Sequence, residues 1–402
     1  MPPTRTTKQS QDSTARQGTP LVSSGFDRVS KKRPCRICKQ STWCGFSRDQ
    51  RTSICMRVSQ GARGISQNGG NIHVHTEIST TIPLLTASPT HSPPSIPIAP
   101  LEIRHAVFTE LIRLSPAAKY RTELVTGPSG LYARGLTHQH ALTFGALPKT
   151  HDGRATLARA LNSYVSRSFP DYAKLYGAGV IGIPGFWQEP SGQVHVWKLH
   201  NYRMPILVIP YKNAHGLIQA CQIRLHQDDI AEGEKKYRWL ASPSERYGTS
   251  SGTPIHFTFS PTFSAGATIV LTEGALKGET FVYHRPKARV IATSGVSCSH
   301  DQLIQAARAY NALIAFDADH RINPSVCRQL ARLIARRFED SIEHKLTYTT
   351  RILFWEGPKG IDEAAQQNVR MQTKTISEWY ETLTNEPREE VGRFWSEISF
   401  HP

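Results

Sequence analysis

Ile269-Val270-Leu271-Thr272-Glu273-Gly274 is the stretch on which the fold turns. An apolar run ends in an acid and a glycine, and comparable runs follow it. Val290-Ile291-Ala292 ends in Thr293-Ser294-Gly295, and Leu313-Ile314-Ala315-Phe316 ends in Asp317-Ala318-Asp319. Arg351 to Trp355 then leads into Lys359-Gly360-Ile361-Asp362-Glu363. Short apolar runs separated by helix-length segments are the pattern of an α/β fold, a mostly parallel sheet with crossover helices. Ligands meet such sheets just beyond the carboxyl ends of the strands. Here those ends carry acid: Glu273, then Asp317 and Asp319, then Asp362. Carboxylates gathered at one edge repel unless a cation stands among them, and hard, oxygen-liganded Mg²⁺ suits that place.

With Glu-Gly after one strand and Asp-x-Asp after a later one, the chain resembles the TOPRIM domain of bacterial primases, topoisomerases and some nucleases. Within that family it is similar to the DNA-primase-like proteins of plasmids and mobile elements. The plainer alternative is a set of solvated loop acids on an ordinary α/β domain. The resemblance spans residues 33–57 and 176–365. It implies Mg²⁺ (or Mn²⁺) on Asp317, Asp319 and Glu273, with Glu273 as a further ligand or general acid/base and Asp362 in support. The chemistry would be phosphoryl transfer. Lys359 falls in the element that closes the metal site.

Ile209-Pro210-Tyr211, Gly216, Arg224, Lys236-Tyr237 and Ser242-Pro243 are similar to the lobe that precedes TOPRIM in bacterial primase. The likeness implies that Arg224 and Lys236 hold phosphates of nucleotide or template. Arginine offers a bidentate fork and lysine a point charge. An exposed hairpin residue is the alternative for Arg224. Two departures stand out. Lys277 occupies the position where primases carry an aspartate, setting a cation that can meet phosphate where a metal ligand is expected. Tyr247 to Pro254 replaces a basic Lys-Gly-Arg run with a Gly/Ser/Thr loop. Both count against full primer synthesis.

The whole chain has 402 residues, a formal charge of +16 and a pI near 9.7. Such a balance favours a polyanionic partner, nucleic acid before anionic membrane. Residues 1–63 hold thirteen Lys or Arg against three Asp, so +10 of that charge lies there. No apolar run approaches the roughly 20 residues that span a bilayer. The polar N-terminus lacks a secretory apolar core, and the expectation is a cytoplasmic protein.

Cys35, Cys38, Cys44 and Cys55 follow the spacing C-x2-C-x5-C-x10-C. A C-x-x-C turn brings two thiolates to one ion and two later cysteines close a tetrahedral site, so structural Zn²⁺ is expected. Buried or redox cysteines are the alternative. Trp43 and Phe46 would pack beside the site. His73 and His75 are possible substitute ligands, though alternation in Ile72-His73-Val74-His75 fits a half-exposed strand better. Cys221, Cys298 and Cys327 read as small core residues.

The expected organisation is a disordered basic tail (1–32), a zinc ribbon (33–70), a Pro/Ser/Thr linker (71–100) and a helical region (101–170). An α+β primase-like lobe (171–262), a TOPRIM domain (263–372) and a C-terminal helix or tail (373–402) complete it. Asn323-Pro324-Ser325 starts a helix that turns Val326, Leu330, Leu333, Ile334 and Phe338 inward and Arg328, Arg332, Arg336 and Arg337 outward. No G-x-x-x-x-G-K-[ST] phosphate loop appears, so a replicative helicase would be a separate partner. The leading expectation is a primase-like nucleotidyltransferase using nucleotides on a single-stranded DNA template. A non-catalytic DNA-binding replication protein and a Mg²⁺-dependent nuclease are the alternatives.

Overall fold

The computed structural model describes residues 26–30, 33–39, 44–47, 50–55, 58, 63–65, 71–75, 96–127, 130–231, 234–259 and 266–400. Trp43, most of the basic tail and most of the linker lie outside them. The chain divides into two compact units, 1–84 and 85–402.

The first unit holds β1 (Phe26–Arg28), β2 (Gly45–Ser47), β3 (Thr52–Cys55), β4 (Gly64–Ile65) and β5 (Asn71–Val74), in sheet order β1-β2-β3-β5-β4. The first and last of these correct the expected tail and linker: β1 pairs with β2, and β5 with β3. The core is Val29, Phe46 and the cysteines Cys35, Cys44 and Cys55. The Arg33 guanidinium lies 3.6 Å from the Phe46 ring centroid. In β5 the alternation is real but inverted, with Asn71 and His73 inward and Val74 outward. Both inward groups serve carbonyls, since Asn71 donates to Cys55 O at 3.2 Å and His73 Nε2 lies 2.8 Å from Val58 O.

The second unit starts with α1 (Leu101–Leu114), α2 (His138–Ala141), β6 (Gly145–Leu147), α3 (His151–Ser168) and α4 (Pro170–Tyr176). Next come β7 (Phe186–Gln188), β8 (Val194–Val196), β9 (Ile206–Lys212), β10 (Ile218–Arg224), β11 (Tyr237–Trp239) and β12 (His256–Phe257). Strands β11-β10-β9-β6 form one antiparallel sheet. Because β6 pairs with β9, the stretch expected to be helical shares a sheet with the lobe that follows it. Successive side chains of a strand face opposite ways, and β9 is covered on both faces. Ile206 and Val208 join Val107, Leu111, Leu157 and Leu161 of α1 and α3, while Leu207, Ile209 and Tyr211 meet Leu131, Leu136 and Leu276.

The rest is β13 (Thr268–Glu273), α5 (Ala275–His284), β14 (Val290–Thr293), α6 (His300–Ala306), β15 (Asn311–Ile314), α7 (Pro324–Glu343), β16 (Thr350–Phe354), α8 (Ile361–Gln366), β17 (Gln372–Lys374), α9 (Ile376–Glu381) and α10 (Asn385–Glu397). Their sheet runs β12-β14-β13-β15-β16-β17, parallel through β14, β13, β15 and β16, with antiparallel edges. The chain leaves β13 for β14 on one side and then crosses back to β15 on the other. This reversal opens a crevice between β13 and β15. Apolar clusters fill both faces, one built on α7, α9 and α10, the other on α5 and α8.

A half-buried clip joins the antiparallel lobe to this sheet. Lys212 Nζ lies 2.9 Å and His256 Nε2 3.2 Å from Glu279 Oε1, and the Lys212 backbone N–H donates to His256 Nδ1 at 3.0 Å. Burial would raise the Glu279 pKa, but its bonds to His256 and Lys212 pull it down to about 2. Beside it, Tyr211 Oη donates to Gln222 Oε1 at 2.9 Å and accepts from the Ala275 N–H at 3.4 Å.

Three expectations need correction. Arg337 is fully buried rather than outward, donating to Thr350 Oγ1, Ala307 O and Tyr310 O at 3.0–3.2 Å. Arg328 and Arg336 are paired, with Glu390 at 2.5 Å and with Asp301 respectively, and Phe338 is 48% exposed. The C-terminal segment is no loose tail: Trp379, Leu383, Val391, Trp395 and Phe400 complete the core against α7. Among the described residues no helix is long and apolar enough to cross a membrane.

Candidate functional site

Glu273 ends β13, and Gly274 then turns the chain into α5 at φ +81°, a backbone state open to glycine and strained for other residues. The turn places Lys277 in the first helical turn, directly over the strand end it follows. Lys277 Nζ lies 3.2 Å from Glu273 Oε1 and also bonds Asp317 Oδ1. The two carboxylates therefore share one ammonium. Burial would lower the Lys277 pKa, but Glu273 and Asp317 outweigh it and hold the pKa above its ordinary value. Glu273 is pushed up by burial and by the neighbouring Asp317, against the pull of Lys277.

The remaining acids have cations of their own. Lys359 Nζ is 2.7 Å from Asp319 Oδ2 and 3.9 Å from Asp317 Oδ2, and its hydrogen bond to Asp319 raises its pKa. Asp362, 2% exposed in the first turn of α8, bonds Arg134. Arg134 comes from a short turn (Tyr132–Arg134) far upstream, capped by Gly135 at φ +76°. The sequence pattern did not point to this bond. No local signal marked it, since its partner lies 228 residues away.

Arg134 also stands close to two cations of the lobe. Burial, opposed by Tyr237 and aided by Arg134, lowers the Arg224 pKa, while burial, Arg224 and Arg134 lower that of Lys236. Arg224 ends β10 opposite Tyr237 and is 9% exposed, so it is no free hairpin residue. The four acids thus pair with Lys277, Lys359 and Arg134, while Arg224 and Lys236 stand near Arg134. The Gly/Ser/Thr loop packs inward, with Thr249 Oγ1 donating to Ile96 O at 3.1 Å.

The two expected metal sites fare differently. Ligand atoms of Cys35, Cys38, Cys44 and Cys55 all lie within 4.8 Å of one another, and Cys38 Sγ is 3.6 Å from Cys44 Sγ. Sulfurs on a tetrahedral ion with bonds of about 2.3 Å stand about 3.8 Å apart. The cysteines fit one such ion. Glu273, Asp317 and Asp319 do not fit Mg²⁺ as they stand: an ion bound by Glu273 and Asp317 would sit where Lys277 Nζ already is. Mg²⁺ takes oxygens at about 2.0–2.1 Å in octahedral geometry, and a neighbouring ammonium would repel it.

The protein is thus defined as a mixed α/β chain with a charge-compensated acidic strand edge and a separate four-cysteine unit. No family model matches it, and no curated protein does. Among solved structures it is similar to the DnaG primase catalytic domain bound to ssDNA, at 13% identity over 74% of this chain and 91% of that one, TM-score 0.43. It is similar to a DNA primase domain from Pseudomonas aeruginosa at 13% identity, over 75% and 97% of the two chains, TM-score 0.44. For the zinc-binding and RNA polymerase domains of Aquifex aeolicus primase the figures are 15%, 74%, 66% and 0.42.

Proposed function

We propose that this chain is a primase-like, TOPRIM-type DNA-binding protein of plasmid or mobile-element replication that grips phosphates with side-chain cations. The observation that carries this reading is the Lys277 ammonium held between Glu273 and Asp317. A lysine kept charged by two carboxylates does the neutralising that a divalent ion would do. Arg224, Lys236 and Arg134, crowded at the lobe end of the site, then take phosphate oxygens, Arg224 by its fork. Each phosphate neutralised releases counterions, so binding weakens steeply with salt. The four cysteines hold Zn²⁺ in a structural module. A replicative helicase would be a separate partner, and the working place is the cytoplasm.

A second reading is Mg²⁺- or Mn²⁺-dependent nucleotidyl transfer, favoured by the placing of Glu273, Asp317 and Asp362 beyond strand ends. It requires the ion to displace Lys277. One experiment separates the two: purified protein with single-stranded template, labelled ribonucleotides or deoxyribonucleotides, and Mg²⁺ or Mn²⁺. The DNA-binding reading expects salt-sensitive binding that survives Asp317→Ala, loss of about tenfold in affinity for Arg224→Ala, and no product. Short oligomers that vanish in Asp317→Ala would replace it with the second reading. Shortened template would point to a nuclease.

A further inference from the structure

At the far edge of the parallel sheet lies an open cavity of about 590 Å³, lined by Arg321, Phe354, Trp355, Glu356, Arg370 and Lys374 among others. Its shape follows from strand pairing. β17 runs antiparallel to β16, with Phe354 opposite Gln372 and Ile352 opposite Lys374. Lys374 therefore sits diagonally from Phe354, a distance long side chains cover, and its Nζ lies 4.7 Å from the ring centroid. Arg321 arrives from the turn (Ala318–Arg321) that follows Asp317, its guanidinium 4.8 Å from the same centroid. Thr384 fixes that turn by donating its N–H and hydroxyl to Arg321 O at 3.3 and 3.0 Å. Trp355, 2% exposed, forms the wall, its indole N–H donating to Pro358 O at 2.8 Å.

Among the described residues, none of Arg321, Arg370 and Lys374 makes an ion pair. Glu378 stands near Lys374, but its carboxylate accepts the Thr375 N–H at 2.7 Å. Three cations around one cavity repel one another, and an anion among them relieves the repulsion. Glu356, which can only accept hydrogen bonds when ionised, gives the same cavity a place for a hydroxyl or amine. The volume lies within the usual range for small-ligand sites, about 300–1,000 Å³.

We infer that this cavity is a second binding site and that it takes a nucleoside phosphate. Phosphate meets Arg370, Lys374 and Arg321, the base takes the place of one of the two cations over Phe354 as that cation swings to the phosphate, and a sugar hydroxyl or base amine donates to Glu356. The occupant is a free nucleotide or the 5′-phosphorylated end of a strand; both present the same chemistry. The cavity lining includes neither Arg224 nor Lys236, so variants of the two places can be read separately.

The test is calorimetric titration of the full chain, without divalent ion, with ATP and with a short single-stranded oligonucleotide bearing either a 5′-phosphate or a 5′-hydroxyl. Arg370→Glu/Lys374→Glu should weaken ATP about tenfold or more, or abolish the advantage of the 5′-phosphate. Phe354→Leu, which keeps every charge, should weaken the same probe several-fold, as base stacking does. Arg224→Ala should leave these effects in place. A change confined to ATP marks a free nucleotide, and one confined to the 5′-phosphate marks a strand end. The inference is overturned if the charge-reversed chain, folded by circular dichroism, binds both probes like wild type. It is overturned equally if Phe354→Leu changes nothing, or if Arg224→Ala alone removes ATP binding.

Discussion

Four sulfurs in the N-terminal unit and four carboxylates at strand ends in the second unit set the same electrostatic problem and meet it in different ways. The cysteines converge as one tetrahedral set. The carboxylates are shared out instead: Lys277 between Glu273 and Asp317, Lys359 on Asp319, Arg134 on Asp362. The first arrangement is shaped to take an ion from outside, and the second brings its cations in the sequence. The difference matches what surrounds each set. Among its described residues the small unit has few large apolar side chains in its core, and domains of that kind lean on metals. The second unit has extensive cores on both faces of its sheet and can spend side chains on fixed charge.

Metal removal should give the largest effect. A strong chelator should expose all four thiols of the first unit to a thiol reagent, and Cys44→Ser the remaining three, and either should melt that unit, since structural Zn²⁺ binding contributes roughly 10 kcal/mol or more. The melting of the second unit should stay where it was. Unchanged thiol reactivity after chelation would mean that the cysteines stand together without an ion.

Lys277→Ala should come next and turns the second arrangement into the first. Glu273 and Asp317 are 18% and 13% exposed, and removing the partner of a buried charge costs about 3–5 kcal/mol. Mg²⁺ should then raise the melting temperature of the variant while leaving wild type unmoved. An equal rise in wild type would break the comparison, because the ion would already have a place beside Lys277.

The smallest effect concerns a charge with no place in either scheme. His300 is 6% exposed and donates Nε2–H to Val296 O at 2.6 Å; burial, with Arg332 and Arg336 adding to it, brings its pKa down to about 4. Its folded pKa lies below the unfolded value of about 6.5. The unfolded chain therefore binds the extra proton first, and stability falls as pH drops from about 6.5 towards 4, by up to about 3 kcal/mol. Urea unfolding at pH 7 and pH 4.5 should show a shallower pH dependence for His300→Gln than for wild type. Identical slopes would show that His300 titrates normally.

The parallel sheet was legible because its strands are short apolar runs ending in acid or glycine, and buried parallel strands carry little else. Ile269–Leu271 and Val290–Ala292 lie within β13 and β14, whereas the third strand ends at Ile314, two residues before the apolar run does. Glu273 at the end of β13 and Asp317 just past β15 could be placed for the same reason, whereas Asp362 lies in the first turn of α8. Their partners could not. Arg134 reaches Asp362 across most of the unit, and Lys277 showed itself only as a departure from a pattern. One arginine misled most: a periodicity that sorts charge outward has no means of showing that Arg337 is buried to serve backbone carbonyls.

The clip of Lys212, His256 and Glu279 has a consequence for whatever this chain holds. It locks β9, the neighbour of the strand that carries Arg224, onto α5, the helix that carries Lys277. Grip and acidic edge are thereby set at a constant spacing, like the jaws of a gauge. If phosphates are gripped as proposed above, a flexible strand laid across them adjusts its own phosphate-to-phosphate distance, whereas a stiff duplex cannot.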